Sequence, residues 1–171
     1  MGSGKTTVGK ILANRLRMPF KDLDMELEQK QGITASKFYA IHGEDAFRKA
    51  ERIILLELIK NKNLIISTGG GAPCYSDNME IMNREGVTVY LKMNKDAILQ
   101  RLLMLKPSSL ARRLLIAEKS KEEIIRFIEA NMEKREVFYN KARIIVENEG
   151  SNACIAVERI ISMLQYYDNK N

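Results

Sequence analysis

Met1-Gly2-Ser3-Gly4-Lys5-Thr6-Thr7 opens the chain, and its Gly4-Lys5-Thr6 is the closing half of a phosphate-binding loop, G-x-x-x-x-G-K-[ST]. The residue types follow from the ligand. Glycines let backbone N–H groups curl round an anion where a side chain would collide. Lys5 supplies a point charge to the outer phosphates, and the Thr6 hydroxyl can ligate Mg²⁺. A helix starting at Lys5 aims the positive end of its dipole at the same anion. The expected nucleotide contacts are therefore Gly2, Ser3, Gly4, Lys5, Thr6 and Thr7.

The first glycine of that pattern would stand two positions before Met1, after a buried strand that delivers the chain to the loop. The expectation is a natural protein that begins about ten residues upstream, with that strand in the middle of a parallel sheet. A form starting at Met1 is then expected to fold poorly or to borrow a strand, because two neighbouring strands lose ladder partners.

Working outward, 171 residues suit a single domain, 1–171, with a core of its own. An apolar content of 45% and a charged content of 29% are ordinary for a globular chain. No apolar run reaches the roughly 18 residues of a membrane span, and no signal peptide is visible. Cys74 and Cys154 lack metal-ligand spacing, which reads as two reduced thiols in a cytoplasmic protein. The net charge of +6 is spread through the helices without a basic block or interleaved aromatics. That pattern argues against nucleic acid, whereas a positive cleft suits anionic substrates. A monomer with small-molecule partners is expected.

Along the chain, short apolar runs alternate with helical periods. Strands are expected at Phe20–Asp24, Leu64–Thr68, Val87–Leu91 and Ala142–Val146, with helices between them. One short helix, capped by Thr34 or Ser36, should end near Gly43, and a longer one should run from Glu44 to Lys60. Such alternation predicts an α/β fold of three layers, a parallel sheet with helices on both faces, five-stranded once the leading strand is counted. Ligands of such a sheet bind at the carboxyl ends of its strands. Asp22, Asp24 and Gly69-Gly70-Gly71 all lie at such ends.

Asp22 and Asp24 stand two apart, so within a strand they would face the same side. Beside a phosphate loop, one carboxylate can hold Mg²⁺ through water, and the other can position or deprotonate an attacking hydroxyl. Three consecutive glycines are costly in backbone entropy and imply close approach of the backbone to a ligand. Arg48 and Arg135 fall on helices, where an arginine is a solvated surface residue or a donor fork for a carboxylate.

Together these residues resemble the shikimate kinases. The resemblance covers nearly the whole chain and rests on Gly2-Ser3-Gly4-Lys5-Thr6, Asp22-Leu23-Asp24, Gly43-Glu44-Asp45-Ala46-Phe47-Arg48-Lys49-Ala50-Glu51, Ser67-Thr68-Gly69-Gly70-Gly71 and Lys134-Arg135-Glu136-Val137-Phe138-Tyr139. It implies a phosphate-loop kinase fold and ATP-dependent phosphorylation of the 3-hydroxyl of shikimate, in aromatic amino-acid biosynthesis, with Mg²⁺. By position, Asp24 would hold and deprotonate the hydroxyl, and Lys5 and Arg113 would serve the phosphates. Arg48 and Arg135 would clamp the substrate carboxylate, Gly69, Gly70 and Gly71 would meet the ring, and Thr6 and Asp22 would reach the metal shell. Glu51 resembles a partner that orients the substrate arginines. Residues 25–60 would form the shikimate-binding region and residues 106–120 a closing lid. The lid departs from the family's Arg-Pro-Leu-Leu: here Arg113-Leu114-Leu115-Ile116 stands in its place, with Arg112 adjacent.

Two rival classes remain from sequence. A kinase for gluconate or a nucleotide would share the phosphate loop but not T-G-G-G with F-R-x-x-E. A binding module on the same fold would have lost Lys5, Asp24 or Arg135, and all three are present.

Overall fold

A computed structural model of the chain describes residues 2–104, 120–148 and 152–168. Residues 105–119, and with them Arg112 and Arg113 of the expected lid, lie outside the described residues. The order of elements is helix α1 (Lys5–Leu16), strand β1 (Phe20–Asp22), α2 (Leu23–Gln31), α3 (Ala35–Leu58), β2 (Ile65–Ser67), α4 (Asn78–Glu85), β3 (Val89–Lys92), α5 (Lys95–Leu103), α6 (Lys121–Tyr139), β4 (Ile144–Glu147) and α7 (Ala153–Asp168). A single 3₁₀ turn, Ala72–Cys74, follows the glycine run. All four strands written in the sequence form, and all pairings are parallel. They stand as two pairs, β1 on β2 and β3 on β4, with no ladder between the pairs among the described residues.

Local signals account for most boundaries. Asn94 accepts from Asp96 N–H and opens α5. Ser120 and Glu123 form a reciprocal capping box at the start of α6, which satisfies two orphan donors at once. Thr34 accepts from Lys37 N–H and opens α3. The break expected near Gly43 is present as a kink inside α3, where Gly43 takes φ 78° and ψ 176°, a conformation essentially open to glycine alone.

The carboxylate pair differs from its expected setting. β1 ends at Asp22, and Asp24 lies in the first turn of α2 rather than in the strand. The reason is local: the Asp22 side chain accepts from Asp24 N–H and caps the helix. An aspartate offered its own backbone donor competes with strand continuation.

Packing places the site between two apolar clusters. One joins Val8 and Leu12 of α1 to Leu91, Ile144 and Val146 of the second strand pair and to Val157 and Ile160 of α7. The other joins Leu23 and Leu27 of α2 to Phe38, Phe47, Ile54 and Leu55 of α3. Leu23 and Leu27 are fully buried, and each such side chain contributes about 1.5–3 kcal/mol. These contacts hold α2, and with it Asp24, against the arginine-bearing stretch of α3. β4 buries Ile144 and Val146 and leaves Ile145 and Glu147 open, the alternation of a strand covered on one face.

Candidate active site

Helix α1 starts without a side-chain cap. Its cap residue is Gly4, with φ 84° and ψ 17°, so the first-turn N–H groups stay directed out of the helix toward the loop. Gly2 is also left-handed, with φ 80°. Thr6 Oγ1 donates to Asp22 Oδ2 at 2.8 Å, and the other oxygen of Asp22 accepts from Asp24 N–H at 3.2 Å. Lys5 acts electrostatically on Asp24. The phosphate loop and the carboxylate pair, expected from the sequence to share one cleft, therefore form one group.

Asp24 is open to water on one side, yet the surrounding walls of the cleft and the neighbouring Asp22 push its carboxyl above the ordinary aspartate value, against a downward pull from Lys5. The open side moderates the effect of burial. Glu51 is 1% exposed. Burial raises its carboxyl, and Arg48 opposes the rise. Arg48 Nη1 donates to Glu51 Oε2 at 2.6 Å, while Glu51 Oε1 is buried and has no hydrogen-bond partner among the described residues. Arg48 also faces Glu44 at 3.6 Å and lies over the Phe47 ring at 5.1 Å. Its fork is thus held by neighbours on α3 rather than waving in solvent. Arg135 of α6 is near enough to bear on Glu51, Tyr139 and Cys74, and Arg48 bears on the same three groups. Two cations from separate helices meet at one place.

The glycine run has a reason the sequence did not reveal. None of its members needs a positive φ. A Cβ on Gly69 would stand 2.5 Å from Glu51 Oε1 and 3.3 Å from Asp24 Oδ1, and one on Gly71 would collide with the Arg48 guanidinium. Site side chains lie directly on this backbone, so a methyl group would displace them. Gly70 O accepts from the Tyr139 hydroxyl at 2.5 Å. Burial raises that phenol's pKa, which keeps its proton in place for the bond.

A pocket of about 270 Å³ opens beside the loop, lined by Gly2, Gly4, Thr7, Arg101, Leu102 and Asn148 among others. Sequence reasoning assigned nothing to Tyr139, Arg101 or Asn148. Tyr139 closes the quoted K-R-E-V-F-Y stretch, and Asn148 follows β4 at a strand's carboxyl end, a position that the location rule for such sheets marks out.

A family model described as shikimate kinase matches residues 1–165. A shikimate kinase of Azobacteroides pseudotrichonymphae is 45% identical over 146 residues, covering 85% of this chain and 84% of the relative. One from Bacteroides thetaiotaomicron is 39% identical over 165 residues, covering 96% and 92%. Among solved structures, the shikimate kinase of Bacteroides thetaiotaomicron superposes with a TM-score of 0.89 at 39% identity, over 96% of this chain and 94% of the other. The shikimate kinase of Acinetobacter baumannii in complex with shikimate gives 0.86 at 32% identity, over 98% and 89%. Matched along nearly its whole length in sequence and in fold, the chain belongs to the shikimate kinase family.

Proposed function

We infer that the cleft transfers the outer phosphoryl group of ATP to the 3-hydroxyl of shikimate, and that the residues above divide the work. The observation that carries this reading is the convergence of Lys5, Thr6, Asp22 and Asp24 at the open end of α1. The loop amides and Lys5 hold the phosphates. Asp24 accepts a hydrogen bond from the hydroxyl and takes its proton as the oxygen–phosphorus bond forms, and ADP departs with the electrons of the broken bond. Arg48 and Arg135 supply donor forks for the shikimate carboxylate, and Glu51 holds Arg48 in place. Helices α2 and α3 form the shikimate side of the cleft, and the backbone of Gly69 to Gly71 its floor.

Mg²⁺ suits the donor set, since the Thr6 hydroxyl and Asp22 carboxylate already meet and both are hard oxygen ligands that leave room for water. Thr6 and Asp22 would hold the ion, which, when bound, neutralises charge on the phosphates. We place the enzyme in the cytoplasm as a monomer. Among the described residues no helix is long and apolar enough to cross a membrane.

Arg135→Lys tests the assignment of the carboxylate. The substitution keeps the charge and loses the fork. The apparent KM for shikimate should rise by about ten-fold, matching roughly 1.4 kcal/mol of lost charge-assisted bonding, while the KM for ATP stays near the parent value. A rise confined to ATP would move Arg135 to the nucleotide.

A further inference from the structure

The phosphate loop alternates in handedness: Gly2 and Gly4 have φ of 80° and 84°, and Ser3 between them is not left-handed. Alternation of this kind gathers successive N–H groups on one side as an anion-binding concavity. It also turns the intervening carbonyl groups to the other side, where each needs a donor of its own if it is shielded from water. Two side chains from distant parts of the chain meet that need. Asn148 Nδ2 donates to Ser3 O at 2.8 Å in a buried bond, and Arg101 Nη1 donates to Gly2 O at 3.1 Å. Ser3 is 8% exposed and Asn148 7%. Asn148 is itself anchored, because its backbone N–H donates to Lys92 O at 2.7 Å and extends the β3–β4 pairing by one bond.

We propose that Asn148 is a positioning residue for the phosphate loop: its amide holds the Ser3 carbonyl turned away from the cleft, and so keeps the loop N–H groups aimed at the phosphates of ATP. In this role the side chain acts on ATP through the loop backbone. It transmits the fixed geometry of the β4 end to the one segment whose backbone must be preorganised before an anion arrives. A carbonyl freed from this bond can rotate, and rotation of the Ser3–Gly4 peptide carries the Gly4 N–H out of the concavity. The proposal rests on the reading of this loop as the ATP site.

Two variants test it. Asn148→Leu keeps most of the volume and removes the donor, and Asn148→Asp keeps the shape while presenting a carboxylate oxygen to the Ser3 carbonyl. ATP and shikimate are titrated separately by calorimetry against the parent and both variants, with thermal melting recorded for each. ATP affinity should fall about ten-fold or more in both variants, with shikimate affinity within two-fold of the parent. A general packing defect would weaken both ligands together, and that result overturns the proposal. ATP affinity within two-fold of the parent in either variant, with a cooperative melt, overturns it as well. Should Asn148→Leu fail to fold, Asn148→Asp decides alone. Failure of the parent itself to bind ATP would instead count against the assignment of the loop, which separates the two claims.

Discussion

Asp24→Asn is expected to lower turnover by about 10² to 10⁴, the range a general base contributes, with ATP binding unchanged. The amide keeps size and can still face the hydroxyl, but it cannot take the proton. The parent's pH profile carries the same information. In the proposed mechanism Asp24 works as the carboxylate, and the cleft walls and Asp22 raise its pKa above the ordinary aspartate value. Activity should therefore decline as pH falls through that raised value, so the acid limb of kcat/KM for shikimate lies at higher pH than a free aspartate would give. The limb should vanish from the residual activity of Asp24→Asn. Turnover within ten-fold of the parent, or an acid limb that survives the substitution, would assign the proton to another group.

Arg48→Met should be the most damaging change to the shikimate side. Glu51 is 1% exposed and depends on Arg48 for the one hydrogen bond its carboxylate makes among the described residues. Removing one partner of a buried pair costs about 3–5 kcal/mol, which corresponds to a loss of roughly 10 °C in melting temperature for a domain of this size. The sign with pH follows from linkage. Without Arg48, burial raises the Glu51 carboxyl further, so the folded state holds a proton that the unfolded state releases at lower pH. A raised carboxyl costs stability above its folded-state value and recovers it as pH falls through that value. The deficit of Arg48→Met relative to the parent should thus shrink from pH 8 toward pH 5, and shikimate affinity should be lost at both. A variant that melts with the parent at pH 8 would mean that Glu51 is not left unpaired.

Much of the fold is legible in the sequence. The alternation of apolar runs and helical periods located all four strands to within two residues, and the glycine at 43 announced its kink. The carboxylate pair was found for an incomplete reason: period-two spacing treated Asp22 and Asp24 as one strand face, whereas the Asp22 side chain ends the strand by capping α2. A side chain that satisfies a helix donor outcompetes one more residue of ladder, and spacing alone does not record that competition. The capping box at Ser120 and Glu123 is legible as S-x-x-E. The triple glycine reads in sequence as close approach of the backbone to a ligand; what crowds Gly69 and Gly71 in the structure is Glu51, Asp24 and Arg48, whose approach depends on tertiary packing of α2 and α3. Asn148 and Arg101 reach the loop across 145 and 99 residues of sequence, and no local pattern marks a side chain whose task is to satisfy a distant backbone carbonyl.

The identity of the acceptor is decided by a coupled assay of ADP formation. Purified protein with ATP and Mg²⁺ is offered shikimate, gluconate and a nucleoside monophosphate in separate reactions. The convergence of Lys5 and Asp24 with Arg48 and Arg135 predicts ADP formation with shikimate, abolished in Asp24→Asn, and none above background with the other two. ADP formation with gluconate or the nucleotide, and none with shikimate, would contradict it.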